Sequence, residues 1–393
     1  MNFLLISQSL VGGGAEKVAA NLSIALSNTD KVYILTYDKD NNEFPYAGER
    51  INIDCAGGNV GLIKKIRNAI YRIAKVKQIK KAYHIDCSIS LLPQTDYVNV
   101  LTKCTNEKVV VEISTNTSAA TQGRLKHLFR KFVLQRADYV VAVSEGARRD
   151  IVKLYSLDAN KTATIYNTCD LTAINSKVSG DAPAVNAEQF GEKYIITMGS
   201  FRKPKGHWHL IKAFSCIADQ IPEYNLVILG DGEYRNQYEK LISTLGLDGR
   251  VVMPGFLTDP YQIVANASLF AFSSIYEGFG NVIIEAMACG VPVISSDCNY
   301  GPREIISPDI DVEKRAEKVE YHKYGCLIPN FGMQDIDCTK TITLEERLYA
   351  EGMLSILMNQ SLQKKYIEMG LERAKDFDNS YYAKKWLALM KND

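Results

Sequence analysis

Tyr276-Glu277-Gly278-Phe279-Gly280-Asn281-Val282-Ile283-Ile284-Glu285-Ala286-Met287-Ala288-Cys289-Gly290-Val291-Pro292-Val293-Ile294 is the stretch of this chain whose residue types leave the fewest choices. The short apolar run Ser268 to Phe272 precedes it, and a second run, Val291 to Ser295, closes it. Between the two, a Gly-Phe-Gly turn opens a helical pattern. Two apolar strands joined by a helix read as a right-handed βαβ crossover, which belongs in a parallel sheet covered on both faces.

The same alternation runs outward in both directions. Phe3 to Ser7, Lys31 to Thr36, Ile85 to Ser90, Val109 to Ile113 and Tyr139 to Val143 form one series. Tyr194 to Met198 and Tyr224 to Leu229 begin another, which the opening stretch completes. Between the series lies Leu171 to Glu192, with Ser-Gly-Asp-Ala-Pro at 179 to 183, a composition that reads as an interdomain linker. A chain of 393 residues is too long for one core. The expectation is therefore α/β, with two Rossmann-like doubly wound domains at 1–175 and 190–377 facing across a cleft. Tyr382, Trp386 and Met390 keep helical spacing, so a final helix at 378–393 should pack on something large.

Composition removes whole classes of function. The 46 Lys+Arg and 45 Asp+Glu leave a net charge of +1, unlike a general polyanion binder. Residues 1–178 nevertheless hold 24 basic and 16 acidic side chains, and the remainder 22 and 29. The nine cysteines never fall in Cys-x-x-Cys or zinc spacing, which reads as reduced thiols in the cytoplasm. Neither an export signal nor a run of ~20 apolar residues is expected.

Several turns between strand and helix could meet a ligand. Gly12-Gly13-Gly14-Ala15-Glu16 puts flexible backbone at a helix N-terminus, where N–H groups attract an anion, although Lys17 spoils the dinucleotide fingerprint. Gly199-Ser-Phe-Arg202-Lys-Pro-Lys205-Gly206 offers basic side chains at strand ends, and Gly230-Asp231-Gly232 permits close backbone approach. Glu277 in the loop and Glu285 inside the helix would both look toward one ligand, as carboxylates that accept hydrogen bonds from sugar hydroxyls do.

With these residues in place, the chain resembles the retaining glycosyltransferases of family 4, which have the GT-B fold. The match takes in Gly13 to Glu16, Val143-Ser144-Glu145-Gly146, Gly199 to Gly206, Gly230 to Gly232, Pro254-Gly255-Phe256, and the pair Glu277 and Glu285, the family's E-x7-E. The resemblance implies that the C-terminal domain binds a nucleotide sugar, that the N-terminal domain binds the acceptor, and that the final helix at 378–393 crosses back to pack on the N-terminal domain. By it, Arg202 and Lys205 hold the diphosphate, Glu285 the ribose and Glu277 the donor sugar. Backbone N–H groups at Phe279, Gly280 and Asn281 face sugar and phosphate, with Gly278 and Val282 in the same turn. Gly13 and Gly14 would meet the diphosphate from the other domain, Gly199 and Gly230 would line the site, and Phe256 would lie beside the base.

Two positions depart from the family pattern. Ser200 stands where many relatives carry Arg, so Arg202 would substitute. The loop Glu112-Ile-Ser114-Thr-Asn116 lacks the His or Arg found near the sugar in relatives. The implied mechanism is front-side attack, with the leaving diphosphate taking the acceptor's proton and Arg202 and Lys205 stabilising its charge. Neither a cofactor nor a metal is expected, despite Asp-x-Asp strings at Asp38, Asp309, Asp335 and Asp376.

Leu62 to His84 carries eight Lys/Arg and no acid, with Leu62, Ile66, Ala69, Ile73 and Val76 at helical spacing. This basic amphipathic helix, with Arg124 to Lys131, predicts contact with an anionic membrane surface rather than nucleic acid. Asp297-Cys-Asn-Tyr-Gly301-Pro302-Arg303-Glu304 looks like members that extend lipid-linked or surface polysaccharides from UDP-hexoses or UDP-N-acetylhexosamines. A nucleotide-sugar epimerase of the same fold and a catalytically silent nucleotide-sugar-binding subunit are the alternatives. A phosphorylase is disfavoured by the lack of a pyridoxal lysine motif.

Overall fold

The computed structural model describes residues 1–11, 14–38, 43–55, 61–114, 123–180 and 190–391. The chain divides into two compact units, Met1–Thr168 with Asn379–Asp393, and Cys169–Asp378.

Unit 1 is built on strands β1 (Asn2–Ser7), β2 (Lys31–Thr36), β3 (Glu49–Asn52), β4 (Cys87–Ser90), β5 (Lys108–Ile113), β6 (Tyr139–Ala142) and β7 (Thr162–Thr164). They lie in the order β3-β2-β1-β4-β5-β6-β7, every pair parallel. Helices α1 (Gly14–Ser27), α2 (Leu62–Ala82), α3 (Pro93–Leu101), α4 (Arg124–Arg136) and α5 (Glu145–Tyr155) make the crossovers. β4 and most of β1, β2, β5 and β6 are buried on both faces, which is why they read as continuous apolar runs. At the head of α5, the Ser144 hydroxyl accepts the Ala147 N–H at 3.3 Å, an N-cap that fixes where the helix begins.

Unit 2 opens with α6 (Leu171–Ser179), then alternates β8 (Lys193–Met198), α7 (His207–Ser215), β9 (Tyr224–Leu229), α8 (Arg235–Leu245), β10 (Val251–Gly255), α9 (Tyr261–Ala265), β11 (Leu269–Phe272), α10 (Asn281–Ala288), β12 (Val293–Ser296) and α11 (Pro302–Ile306). The strands β13 (Glu320–Tyr321) and β14 (Cys326–Ile328) and helices α12 (Leu344–Leu357) and α13 (Gln360–Ala374) follow. The sheet order is β10-β9-β8-β11-β12-β14-β13, with only β13 antiparallel to its neighbour. Tyr349 of α12 spans the core, its hydroxyl 3.0 Å from the Phe272 carbonyl oxygen and 3.2 Å from that of Ile294.

The final helix α14 (Asn379–Lys391) belongs to unit 1, where Tyr382, Trp386 and Met390 share a core with Val18, Leu22 and Leu26 of α1.

Two sequence expectations need correcting. The stretch read as a linker from Leu171 begins as a helix: the Asp170 carboxylate accepts the Ala173 N–H at 2.8 Å, and α6 packs on α9 and α10. The division falls after Thr168 rather than at 175; residues 181–189 lie outside the described ones. The second correction concerns α2. Only its C-terminal half packs on the sheet, through Ile73, Val76 and Ile79, while Ile66 is 53% exposed. Three of its eight cations are structural instead of outward: Lys77 donates to the Thr102 carbonyl at 3.2 Å, and two more are buried. Arg72 stacks 4.2 Å over the Tyr37 ring, and Lys80 is buried against Glu107 at 2.7 Å.

Candidate functional site

In unit 2 the loops that follow β8, β9, β10, β11 and β12 leave the same edge of the sheet, because parallel strands place all their C-terminal ends together. Glycines draw these loops into contact. The Gly199 N–H donates to the Leu229 carbonyl at 2.9 Å, the Phe201 N–H to Asp231 at 2.8 Å, and the Gly230 N–H to Gly255 at 2.9 Å. At Gly230 the backbone has φ +140°, and a Cβ there would lie 2.0 Å from the Gly199 carbonyl oxygen. A side chain at that position would force the first two loops apart.

The loop after β8 ends in a short turn, Lys203–Lys205, before α7. Gly206 turns it at φ +58°, where a Cβ would stand 2.3 Å from the Ser273 carbonyl. The Lys205 stem runs over Gly199, and its Nζ reaches Glu277 Oε1 at 2.5 Å. The Ser274 hydroxyl donates to the same carboxylate oxygen at 2.7 Å. The Glu277 N–H is held by the Asn299 carbonyl at 3.2 Å, and the Ser273 hydroxyl donates to the Lys205 carbonyl at 2.9 Å. Lysine and glutamate thus form one half-buried pair, fastened from both loops.

Beyond Glu277, Gly278 and Phe279 are buried, and the Phe279 ring packs edge-on against Phe377 at 5.6 Å between centroids. With its ring turned into the core, Phe279 can offer a ligand only its backbone. Gly280, at φ +95°, is the N-cap of α10, so Asn281 and Val282 begin the helix with partly exposed side chains. Their N–H groups belong to the first turn, which has no intrahelical acceptor. Glu285 lies within α10, 7% exposed. Burial, with the charge of Glu285 adding to it, pushes the Cys289 thiol up to about 12.

Sequence reasoning missed other parts of this cluster. His207 is buried behind Lys205, its Nε2 3.4 Å from the Gly199 carbonyl oxygen. Burial, assisted by the Lys205 charge, pulls it down to about 3, so the imidazole is neutral throughout the working range. Ser274 and Asn299 had no signal beyond being polar residues at strand ends. Asp297 and Arg303, flagged only as a subset signature, form a buried ion pair; the Asp297 carboxylate also accepts the Ala316 N–H at 2.6 Å, and Glu320 lies 3.3 Å from Arg303. The pair pins the loop in which Gly301, at φ +92°, comes so close to Phe279 that a Cβ would be 1.7 Å from its carbonyl oxygen.

Arg202 is exposed, with no side-chain partner among the described residues, and Phe256 is 77% exposed beyond Gly255. Gly14 begins α1 of unit 1, with nothing within 4 Å of where a Cβ would stand. Gly13 and Asn116 lie outside the described residues, as does Asp40 of the first Asp-x-Asp string. Other aspartates of those strings carry structural duties: Asp335 pairs with Lys203, Asp337 with Lys212, and Asp376 with Arg373.

Known proteins place this arrangement. Residues 12–173 match the family model Glycosyltransferase Family 4, and residues 178–313 match Glycosyl transferases group 1. The chain is 28% identical over 378 residues, 94% of each protein, to N-acetylgalactosamine-N,N'-diacetylbacillosaminyl-diphospho-undecaprenol 4-alpha-N-acetylgalactosaminyltransferase of Campylobacter jejuni. A glycosyltransferase of Methanocaldococcus jannaschii is 28% identical over 340 residues, 83% of each. Among solved structures, Anabaena HepE with UDP and glucose superposes with a TM-score of 0.76 at 19% identity, over 100% of this chain and 99% of its own. Two Rossmann-like parallel sheets, the glycine-drawn loops around Lys205 and Glu277, and these matches together establish that the chain belongs to glycosyltransferase family 4 and has the GT-B fold.

Proposed function

We infer that the protein is a retaining, metal-independent glycosyltransferase that moves a hexose or N-acetylhexosamine from a UDP-sugar to a glycan or lipid-linked acceptor in surface polysaccharide biosynthesis. The observation that carries this reading is the Lys205–Glu277 pair at the C-terminal edge of a parallel sheet, beside the helix that Gly280 opens. A diphosphate entering beside Lys205 offers it a stronger anionic partner than Glu277, and the carboxylate so released can accept hydrogen bonds from sugar hydroxyls. Glu285 serves the ribose, Arg202 and the first N–H groups of α10 assist the phosphates, and Phe256 takes the base.

In the transfer, the acceptor oxygen forms its bond to the anomeric carbon on the face the diphosphate leaves. The departing diphosphate keeps the bonding electrons and takes the acceptor's proton. Lys205, Arg202 and backbone N–H groups stabilise the charge that develops there. The Campylobacter relative is named for an undecaprenol-linked acceptor and HepE was solved with UDP, which supports the donor and acceptor classes. The basic stretch 62–84 would hold the acceptor-binding unit at the cytoplasmic face of an anionic membrane by charge. Among the described residues no helix is long and apolar enough to cross one.

The test is a thermal-shift panel of UDP-, GDP- and ADP-sugars. A donor at ~100 times its Kd stabilises by about 2.7 kcal/mol. One nucleotide sugar should give this shift in the parent and lose it in Glu285→Ala and Lys205→Ala. Product anomeric configuration from the coupled reaction then checks retention. No shift with any donor would favour the catalytically silent subunit, and sugar inversion without acceptor would indicate the epimerase.

A further inference from the structure

Large apolar side chains exposed to solvent are not scattered evenly over this molecule. Of the nineteen among the described residues, eight stand on α2 and α4. On α2 they are Ile63, Ile66, Ile70 and Tyr71, at 86, 53, 64 and 41% exposure. On α4 they are Leu125, Leu128, Phe129 and Phe132, at 84, 60, 52 and 42%. Both sets recur at three, four and seven residues, the spacing of one helix face, so each helix has an apolar stripe turned away from the protein. The inward side of α4 is narrow by comparison, with only Val133 and Leu134 buried.

The two stripes lie on the same side of unit 1. Helix α3 packs against both α2 and α4, with Tyr97 and Phe129 rings 6.2 Å apart and Asp96 bound to Arg130 at 2.5 Å. On the two helices themselves the charge is of one sign. Neither helix contains an acid, and Lys64, Lys65, Arg67, Arg124, Lys126 and Arg136 are exposed on them.

We propose that α2 and α4 form an apolar wedge that inserts into the interfacial region of an anionic bilayer, with the flanking lysines and arginines on the headgroups. This deepens the membrane contact proposed above and rests on it. It differs in one respect: charge alone would bring the surface to the lipid, whereas the wedge enters the acyl boundary. An apolar stripe rimmed by cations fits that boundary, where isoleucine, leucine and phenylalanine leave water and the ammonium and guanidinium groups stay among phosphates. Nucleic acid offers nothing to the stripe, and an acidic protein partner would leave it uncovered unless it brought apolar surface of its own.

Both native tryptophans, Trp208 and Trp386, are buried at 1 and 0% exposure, so a tryptophan placed on the wedge reports alone on its surroundings. The full-length chain carrying Phe129→Trp is mixed with vesicles of phosphatidylglycerol and phosphatidylcholine, and with phosphatidylcholine alone. The expected result is a blue shift on the anionic vesicles and quenching by bromines on the acyl chain. The combined Leu125→Ser, Leu128→Ser, Phe129→Ser and Phe132→Ser variant should partition at least roughly tenfold more weakly. Its thermal response to the nucleotide sugar should be unchanged, which shows that the fold is intact and separates this test from the donor-site reading. Anionic binding that is fully released by salt, without quenching and unaltered in the serine variant, overturns the wedge and leaves the electrostatic contact standing. No binding at low salt overturns both. Self-association abolished by the same substitutions, with no lipid effect, would assign the face to a second copy of the chain.

Discussion

Both units set their first five strands in one spatial order, and α/β crossovers carry each sheet, yet their surfaces divide the work. In unit 2 the exposed large apolar side chains among the described residues stand apart from one another along the chain, at Phe256, Tyr321, Met333, Leu344, Met358 and Leu371. Its specialised chemistry lies in strand-end loops, where Gly206, Gly230 and Gly301 bring backbones closer than any other residue permits. In unit 1 the specialised feature is a face of two helices, basic and apolar together, and its buried charges do structural work. The difference teaches that sheet order decides where a site can be, while loop glycines and outward helix residues decide what the site handles.

The sharpest way to break this division is to remove a charge from each side of it. In unit 1, Lys80→Met leaves Glu107 buried without its cation, and such losses cost about 3–5 kcal/mol. The expectation is a large fall in the unfolding midpoint of the whole chain, read by calorimetry, with donor affinity per folded molecule unchanged. In unit 2, Lys205→Ala should instead lower turnover by roughly 10²–10³, the usual cost of one charge-stabilising donor, while the melting temperature without ligand moves little. If Lys205→Ala unfolded the protein and Lys80→Met spared it, the assignment of roles would be reversed.

A gentler comparison uses pH. Burial, with the nearby Asp96 charge adding to it, pushes Glu112 of β5 up to about 8. A carboxyl raised above its unfolded value near 4.5 stabilises the fold fully below that value. The contribution is lost as pH climbs through the folded one. Stability should therefore decline between about pH 5 and 8, by at most about 1.4 kcal/mol per pH unit from this group. Glu112→Gln should flatten that slope in a pH series of melting curves. The smallest effect is expected at Gly14, where nothing stands within 4 Å of an added Cβ. Gly14→Ala should change stability by less than about 0.5 kcal/mol, so any fall in turnover would mark close approach of a ligand to that backbone.

Much of this was legible beforehand for a physical reason. All nine apolar runs read from the sequence are strands, because a strand covered on both faces must be apolar throughout. The strands that escaped notice are β3, β7, β10, β13 and β14. The first three are short and half-exposed, with Pro254 inside β10, and no apolar run marks them. The Gly-Phe-Gly turn and both glutamates were visible because glycine and carboxylates are distinctive at such spacing. That Lys205 meets Glu277, 72 positions apart, was not. A contact between these two loops depends on how far Gly206 lets them approach, and no local pattern encodes that distance. Nor did periodicity reveal that Ile66 points outward and Lys80 inward, because a helix that leaves the sheet halfway along its length exchanges the faces it buries.

The location of α14 bears on how the protein acquires its shape. Unit 2 is one uninterrupted segment, complete when Asp378 has been made, whereas unit 1 lacks Trp386 until the thirteen residues of α14 emerge. Unit 2 draws its whole core from that one segment, whereas Leu22 and Leu26 of α1 gain part of their cover from a helix made after it. Loss of α14 would therefore uncover leucines near the N-terminus, about 360 positions away along the chain, while leaving every core residue of unit 2 in place.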